Sequence, residues 1–260
     1  MTKERHYDVV VVGAGSAALN AALSASETGA RVLILEKAPK HLRGGNSYFP
    51  GGLCRFAYNG SSDSVQLLPS IGEDEQEKID VGRYTISNFY GDVMRVTEGL
   101  SDPNLLKTLT TQSFPTMLWM GQKGVPWILA YGRQAFEQDG KLRFWGGLVV
   151  ESVGGGKGLS DRLFVLCENS GIKVQYQAAA TKLKTDENGV VNGVLLKGPN
   201  GYETTTCGAV VLACGGFEAN AEMRTRYLGP GWELAKVRGT QYNTGAVSYT
   251  HLTLPTNRDV

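Results

Sequence analysis

Gly13-Ala14-Gly15-Ser16-Ala17-Ala18 stands between a short β-branched run, Tyr7 to Val12, and a stretch, Ser16 to Thr28, whose Ala, Leu and polar residues recur at helical spacing. Arg31 to Leu35 follows as a second apolar, β-branched run. The order predicts β-α-β. Both strands are nearly continuous apolar runs, as in a parallel sheet covered on both faces. The turn between strand and helix is GxGxxG with alanine in the third glycine's place, an accepted variant. Gly13 permits the tight turn, Gly15 lets the backbone approach a pyrophosphate, and Ala18 keeps the helix close to the strand. Free amides and the positive end of the helix would meet the phosphate charge. Glu36 closes the second strand 21 residues after Gly15. A carboxylate there accepts hydrogen bonds from both hydroxyls of an adenosine ribose and repels a 2′-phosphate. A glycine turn alone also fits an ordinary strand-to-helix connection, and Glu36 alone a solvated charge. Together, at this spacing, they predict a dinucleotide site, with FAD and NAD both open at this point.

The 260 residues suit one or two domains with a sizeable core. Lys and Arg number 26 against 25 Asp and Glu, so no net field draws a polyanion, and nucleic acid is not an expected partner. The longest apolar runs, Val9 to Val12 and Ala209 to Cys214, are too short to span a bilayer. Met1 to Asp8 is polar and mixed in charge, unlike a secretory leader. The expectation is a cytoplasmic protein without an integral membrane segment. Cys54, Cys167, Cys207 and Cys214 form no CxxC pair, and the histidines are His6, His41 and His251. No metal site and no disulfide framework are expected. Glycine is the outlier: 34 residues, about 13% where roughly 7% is usual.

Those glycines cluster beyond Glu36. Lys37-Ala38-Pro39 leads to Arg43-Gly44-Gly45-Asn46-Ser47 and then Pro50-Gly51-Gly52. Two glycine pairs flanking small polar residues, close behind a GxGxxA unit, resemble the fumarate reductase/succinate dehydrogenase flavoprotein family. Amides in such a loop can lie against phosphate and the polar edge of a flavin without side chains intervening. The resemblance implies FAD as cofactor, with Gly44, Gly45, Asn46, Ser47, Gly51 and Gly52 touching it. Contacts from the first unit would be Gly13, Gly15, Ser16, Ala17, Ala18, Glu36 and Lys37. Relatives that attach flavin covalently carry a histidine in this loop; Asn46 and Ser47 imply noncovalent FAD.

Later segments fit the same family. Gly154-Gly155-Gly156-Lys157-Gly158-Leu159 opens a helical pattern with Leu163, Leu166 and Cys167, and Ile172 to Tyr176 follows as a strand. By the resemblance, Gln177 to Leu183 passes the adenine and Ala180 meets it. Turns at Asp186-Glu187-Asn188-Gly189 and within Gly198 to Tyr202 predict a β-meander. Ala209 to Ala213 runs into Cys214-Gly215-Gly216-Phe217, similar to the family's Ala-Thr-Gly-Gly-Phe element, implying cofactor contacts at Ala213, Gly215 and Gly216.

Glu73 to Tyr131 is poorer in glycine, with helical spacing in Val93, Val96, Leu100, Leu105 and Leu109, and predicts an all-helical insertion. Asp102-Pro103 fits a helix start. The wording of Arg95 to Asp102 and of Gly51 to Arg55 is most similar to the tricarballylate dehydrogenase branch. Tyr131, Arg133 and Arg143 are candidates to face a polycarboxylate, because an arginine fork suits carboxylates. Gly239 to Gly245 approaches the family's Thr-Gly-Asp-Gly element, with Ala246 where the acid stands. The stretch from about Val247 resembles translated sequencing-adapter read-through, or is an unrelated terminus. His251 lies in it and is given no role.

The expected fold is α/β: a Rossmann-like FAD-binding domain, parallel sheet with β-meander, carrying the helical insertion and truncated before the cap domain. The expected plan is 1–71 and 151–245 for the FAD-binding domain, 72–150 for the insertion and 246–260 as an atypical tail. The resemblance implies an FAD-dependent dehydrogenase moving hydride between flavin and a small polycarboxylate, tricarballylate to aconitate by the nearest likeness. A redox protein or quinone would accept the electrons. Catalytic residues are expected beyond residue 245, so none is assigned. Open alternatives are an inactive FAD-binding fragment, a ketosteroid-type flavin dehydrogenase and a plain NAD-binding domain; the Gly44 to Gly52 loop argues against the last.

Overall fold

The computed structural model describes residues 6–246. The leader reading of residues 1–5, the adapter reading of the tail from Val247 on and His251 lie outside them.

From the N-terminus, β1 (His6–Val12), α1 (Ser16–Glu27) and β2 (Val32–Leu35) form the first unit of chain. Then come β3 (Leu53–Cys54), α2 (Ser61–Gln66), α3 (Glu73–Lys78), β4 (Ile79–Asp80), α4 (Ile86–Val96) and α5 (Pro103–Gln122). β5 (Trp127–Leu129), α6 (Tyr131–Gln134), β6 (Ala135–Gln138), β7 (Lys141–Phe144) and β8 (Val150–Ser152) follow. The chain ends with α7 (Gly155–Asn169), β9 (Lys173–Gln175), β10 (Ala179–Thr185), β11 (Val191–Gly198), β12 (Gly201–Leu212) and α8 (Ala221–Leu228). Two compact units result: residues up to Phe49 together with those from Ser160 on, and Pro50–Leu159.

The first unit is built on a six-stranded sheet in the order β10-β11-β12-β1-β2-β9. β12, β1, β2 and β9 run parallel, and β10-β11-β12 is the antiparallel meander. The fold is therefore α/β and Rossmann-like, with a mixed sheet. Val10, Val11 and Val12 pair with Leu33, Ile34 and Leu35, and all six are buried, because both faces of the central strands are covered. One face carries the core of Val10, Val12, Leu33, Leu35, Val194, Leu196 and Cys207. α1 buries Ala18, Leu19, Ala22 and Leu23, pairs four apart that form a single stripe. Cys167 Sγ reaches the Leu19 carbonyl at 3.7 Å, bringing α7 against α1.

The second unit departs from the all-helical expectation. Its helices α2 to α6 are joined by two three-stranded sheets, β3-β8-β5 and β4-β7-β6. These strands are two to four residues long, too short to show a period of two. β6 and β7 are a hairpin closed at Asp139-Gly140, but the other pairings join strands distant in sequence, as in Trp127 opposite Ser152. The helix boundaries are locally encoded: Asp102 caps α5 through the amides of Asn104 and Leu105, with Pro103 at its first position. Thr85 and Asn88 form a reciprocal capping box on α4. Of the apolar residues that suggest the helices, Met117 of the Met117-Leu118 pair is buried and Val93 half-buried, while others do not face a core. Val96, Leu100 and Leu105 are 70%, 86% and 73% exposed. No helix among the described residues is long and apolar enough to cross a membrane, and no group of three His, Cys, Asp or Glu side chains could hold a metal ion.

Candidate functional site

The C-terminal ends of the parallel strands β1, β2 and β12 converge on one cavity of about 390 Å³ within the first unit. The Gly13 amide donates to Leu35 O at 2.8 Å and the Ala213 amide to Val12 O at 2.9 Å, so the three strand ends are knitted together at its floor. Val12 to Ala17, Leu35 to Lys37, Gly45 to Ser47, Ala178 to Thr181, Ala213 to Gly215, Tyr242, Asn243 and Ala246 line it.

Gly13 has φ +105°, and a Cβ there would come within 2.5 Å of Ala213 O, so the turn admits glycine alone. Gly15 caps α1 with no side-chain hydrogen bond. The first amides of a helix lack intrahelical partners. The Ser16 amide donates to Ser47 Oγ at 3.0 Å, which draws the glycine loop onto the helix start. Ala17, at the next position, also lines the cavity, with Ala18 buried behind it. Glu36 and Lys37 are the charged residues of the lining. A pyrophosphate here would therefore rest on backbone amides and the helix dipole more than on side-chain cations.

Glu36 is 7% exposed, and its Oε1 accepts from the Ala38 amide at 2.7 Å. Burial pushes its carboxyl above the ordinary carboxylate range, against the opposing hydrogen bonds from the Ala38, Ala14 and Lys37 amides. Lys37 Nζ donates to Thr244 Oγ1 at 2.7 Å. The Thr240 amide donates to Asn46 Oδ1 at 3.0 Å, and Arg238 Nη2 to Phe49 O at 2.7 Å. The segment from Arg238 to Ala246 is thus tied to both the Glu36-Lys37 strand end and the glycine loop.

Of the positions expected from sequence to touch a cofactor, the cavity gathers Gly13, Gly15, Ser16, Ala17, Glu36, Lys37, Gly45, Asn46, Ser47, Ala180, Ala213 and Gly215. Ala18, Gly44, Gly216, Gly51 and Gly52 lie outside its lining. Gly44, at φ +104°, packs against Ser160 and Tyr48. Gly51 and Gly52 belong to the second unit, where Arg133 covers one and Ser152 and Gly155 the other. Tyr131, Arg133 and Arg143 are also in that unit, each beside a carboxylate. Tyr131 Oη donates to Glu75 at 2.5 Å, Arg133 lies 3.8 Å from Glu151, and Arg143 lies 3.4 Å from Asp80. Ala178, Ala179 and Thr181, also in the lining, fall within the Gln177 to Leu183 segment that the resemblance runs past the adenine. Sequence reasoning did not assign Tyr242 or Asn243 to the site; they are brought in only by the tie to Asn46 and Lys37.

Arg43 anchors the start of the glycine loop. Its guanidinium lies 3.9 Å over the Phe164 ring and donates to Tyr176 Oη at 2.9 Å, with Glu168 at 3.4 Å. Arg43→Ala is expected to lower stability by about 1–2 kcal/mol from the lost ring contact and hydrogen bond. Arg43→Lys should recover less than half, because an ammonium cannot serve ring and phenol together. Urea unfolding midpoints check both.

The cavity has the features that a dinucleotide requires: a glycine-only turn, a helix start whose glycine N-cap leaves amides such as that of Ala17 without a side-chain partner, and a buried acid at the next strand end. The profile of the family described as FAD binding domain matches residues 8–247. The chain is 29% identical over 223 residues to a fumarate reductase (cytochrome) of Shewanella frigidimarina, covering 83% of this chain and 34% of that protein. It is 30% identical over 229 residues to a urocanate reductase of Eggerthella lenta, covering 85% of this chain and 33% of that protein. The chain thus spans about a third of the length of these curated relatives. In fold it matches a flavocytochrome c3 fumarate reductase in its open conformation, with TM-score 0.76 at 24% identity over 97% of this chain and 41% of that one. The chain belongs to the FAD binding domain family of flavoprotein oxidoreductases, of the fumarate reductase type, and FAD is its cofactor.

Proposed function

We propose that this chain is the cofactor-binding part of an FAD-dependent oxidoreductase acting on a small polycarboxylate. The observation that carries the reading is the single cavity where the Gly13 turn, the α1 start and buried Glu36 meet. Bound FAD supplies a hydride acceptor and donor, used here at a carbon next to a carboxylate. With the Gly13, Ala14 and Ser16 amides given to Leu35, Glu36 and Ser47, the Gly15, Ala17 and Ala18 amides at the helix start hold the pyrophosphate, and Glu36 accepts from the adenosine ribose hydroxyls. Ala178 to Thr181 border the adenine, while Gly44 to Ser47 and Ala213 to Gly216 line the rest of the cofactor's path. Gly51 and Gly52 enter on the sequence resemblance alone. Binding is noncovalent, with Asn46 and Ser47 in the histidine's place and both engaged in protein hydrogen bonds.

Tricarballylate and aconitate are the proposed substrate pair, supported by the wording of Arg95 to Asp102 and Gly51 to Arg55. That relatives are named fumarate reductase and urocanate reductase supports an oxidoreductase acting on a small carboxylate. A redox protein or quinone as electron acceptor belongs to the same proposal, as does the plan of 1–71 with 151–245 around 72–150.

The test is titration of the purified chain with FAD, followed by dye reduction with tricarballylate. Stoichiometric yellow protein that reduces dye is expected of the whole enzyme. Stoichiometric FAD without turnover would confine the chain to cofactor binding, and protection from thermal unfolding by NAD but not FAD would sink the proposal.

A further inference from the structure

We propose that Asn243 presents its side-chain oxygen as a hydrogen-bond acceptor to the bound FAD, with Glu218 as the positioning residue that fixes the direction of the amide. The inference rests on the FAD reading above and adds a residue that neither the glycine motifs nor the strand pattern pointed to.

Asn243 is 8% exposed and lines the cavity. Its Nδ2 donates to Glu218 Oε2 at 3.2 Å. An ionised carboxylate only accepts, so the NH₂ end of the amide must face Glu218 and the oxygen is left for another donor. Among the described residues no donor reaches that oxygen. The residue's position is set from its backbone as well: the Ala219 amide donates to Asn243 O at 2.9 Å, and the Gly245 amide to Gly216 O at 3.0 Å. An acceptor held in one orientation at the wall of a ligand cavity, and open to that cavity, is placed for a donor that enters with the ligand. It suits an N–H or O–H of the ligand, both of which FAD carries.

Gly215 gains a reason from the same arrangement. A Cβ on Gly215 would stand 2.7 Å from Asn243 Nδ2 and 3.0 Å from its Oδ1. A Cβ on Gly216 would stand 2.8 and 3.0 Å from the two Glu218 carboxylate oxygens. Gly215, at φ +74°, favours glycine on backbone grounds as well, whereas a side chain on Gly216 would displace only the mobile end of Glu218.

The experiment measures FAD dissociation constants for the full chain by fluorescence quenching, alongside apo melting temperatures. Asn243→Asp sets a second carboxylate against Glu218 and should raise Kd about tenfold or more, as should Asn243→Ala, the scale of one hydrogen bond to a buried group. In the double variant N243D/E218Q, the glutamine amide donates to the new carboxylate, which again leaves an oxygen for the ligand. Its Kd should return to within about threefold of the parent, a recovery that mere packing does not predict. Equal Kd values across the parent, N243D and N243A overturn the proposal. So does a double variant that melts like the parent but stays weak, or a loss of affinity that simply tracks melting temperature. A parent chain that takes up no FAD ends the cofactor reading itself, and this inference with it, before any variant is compared.

Discussion

Gly13→Val is expected to abolish FAD uptake and to destabilise the apo protein by about 3 kcal/mol or more. Holding a non-glycine residue at a positive φ contributes about 1–3 kcal/mol, and forcing a side chain into packed structure a further ~1–3 kcal/mol. Both apply, because φ is +105° and the added Cβ would meet the carbonyl of Ala213 at 2.5 Å and Cys214 Cα at 2.8 Å. Those atoms are backbone at the end of β12, and they cannot yield without opening its pairing with β1. Gly15→Ala provides the contrast. Its φ is −79°, and its Cβ would meet Ser47 Oγ at 3.4 Å and Gly44 O at 3.8 Å, both ordinary contacts. The apo stability of that variant should stay within about 1 kcal/mol of the parent, the usual range for a helix-cap exchange. Urea unfolding of both variants decides the matter: similar midpoints for the two would mean that the turn does not depend on the Gly13 backbone.

Glu36→Gln should separate cofactor affinity from apo stability, moving them in opposite directions at neutral pH. Burial raises the folded-state pKa of Glu36, so the folded chain holds that proton more tightly than the unfolded chain, whose glutamate titrates near about 4.3. The stabilisation from protonation is complete below the unfolded value and is lost as pH rises through the folded one. Above the folded value the parent holds a desolvated, ionised carboxylate that glutamine replaces without charge. The apo Gln variant should melt higher than the parent at pH 7 to 8, and the gap should close as pH falls towards 4. FAD affinity should fall about tenfold or more, because hydrogen bonds from ribose hydroxyls to a carboxylate are worth about 1.5–3 kcal/mol and a neutral amide offers one oxygen in place of two. A melting difference independent of pH would contradict the burial argument, and an unchanged Kd would remove Glu36 from the ribose.

The opening of the fold is readable in the chain because it is local. Gly13 to Ala18 with Glu36 specifies strand, tight turn, helix and strand within 31 residues, and the structure places all of them around one cavity. Asp102-Pro103 specifies a helix start for the same reason: the cap and the amides that it satisfies are neighbours in sequence. In the small sheets of the second unit, strands of two to four residues carry no period, and most gain their hydrogen bonds from partners far along the chain; the β6-β7 hairpin is the local exception, and its Asp139-Gly140 turn is a signal that the sequence did carry. The apolar residues of α4 and α5 show the complementary limit. Helical spacing located the helices, but spacing alone does not state whether a face is covered: Val96 of α4 and Leu105 of α5 are exposed, Met117 of α5 is buried, and Leu100 falls between the two helices.

The sequence by itself determined the β-α-β unit, the glycine-only turn and the acid at the second strand end, since each rests on steric or hydrogen-bonding demands among near neighbours. The tertiary structure alone decided which distant segments complete the cavity. Ser47 reaches the α1 start across 31 positions, and Lys37 reaches Thr244 across 207. The parallel pairing of β1 with β12 carries Gly215, Tyr242 and Asn243 to the same wall as Gly13. Such contacts depend on sheet order and register, which are set by burial of the whole apolar surface and leave no mark in the spacing of any single motif.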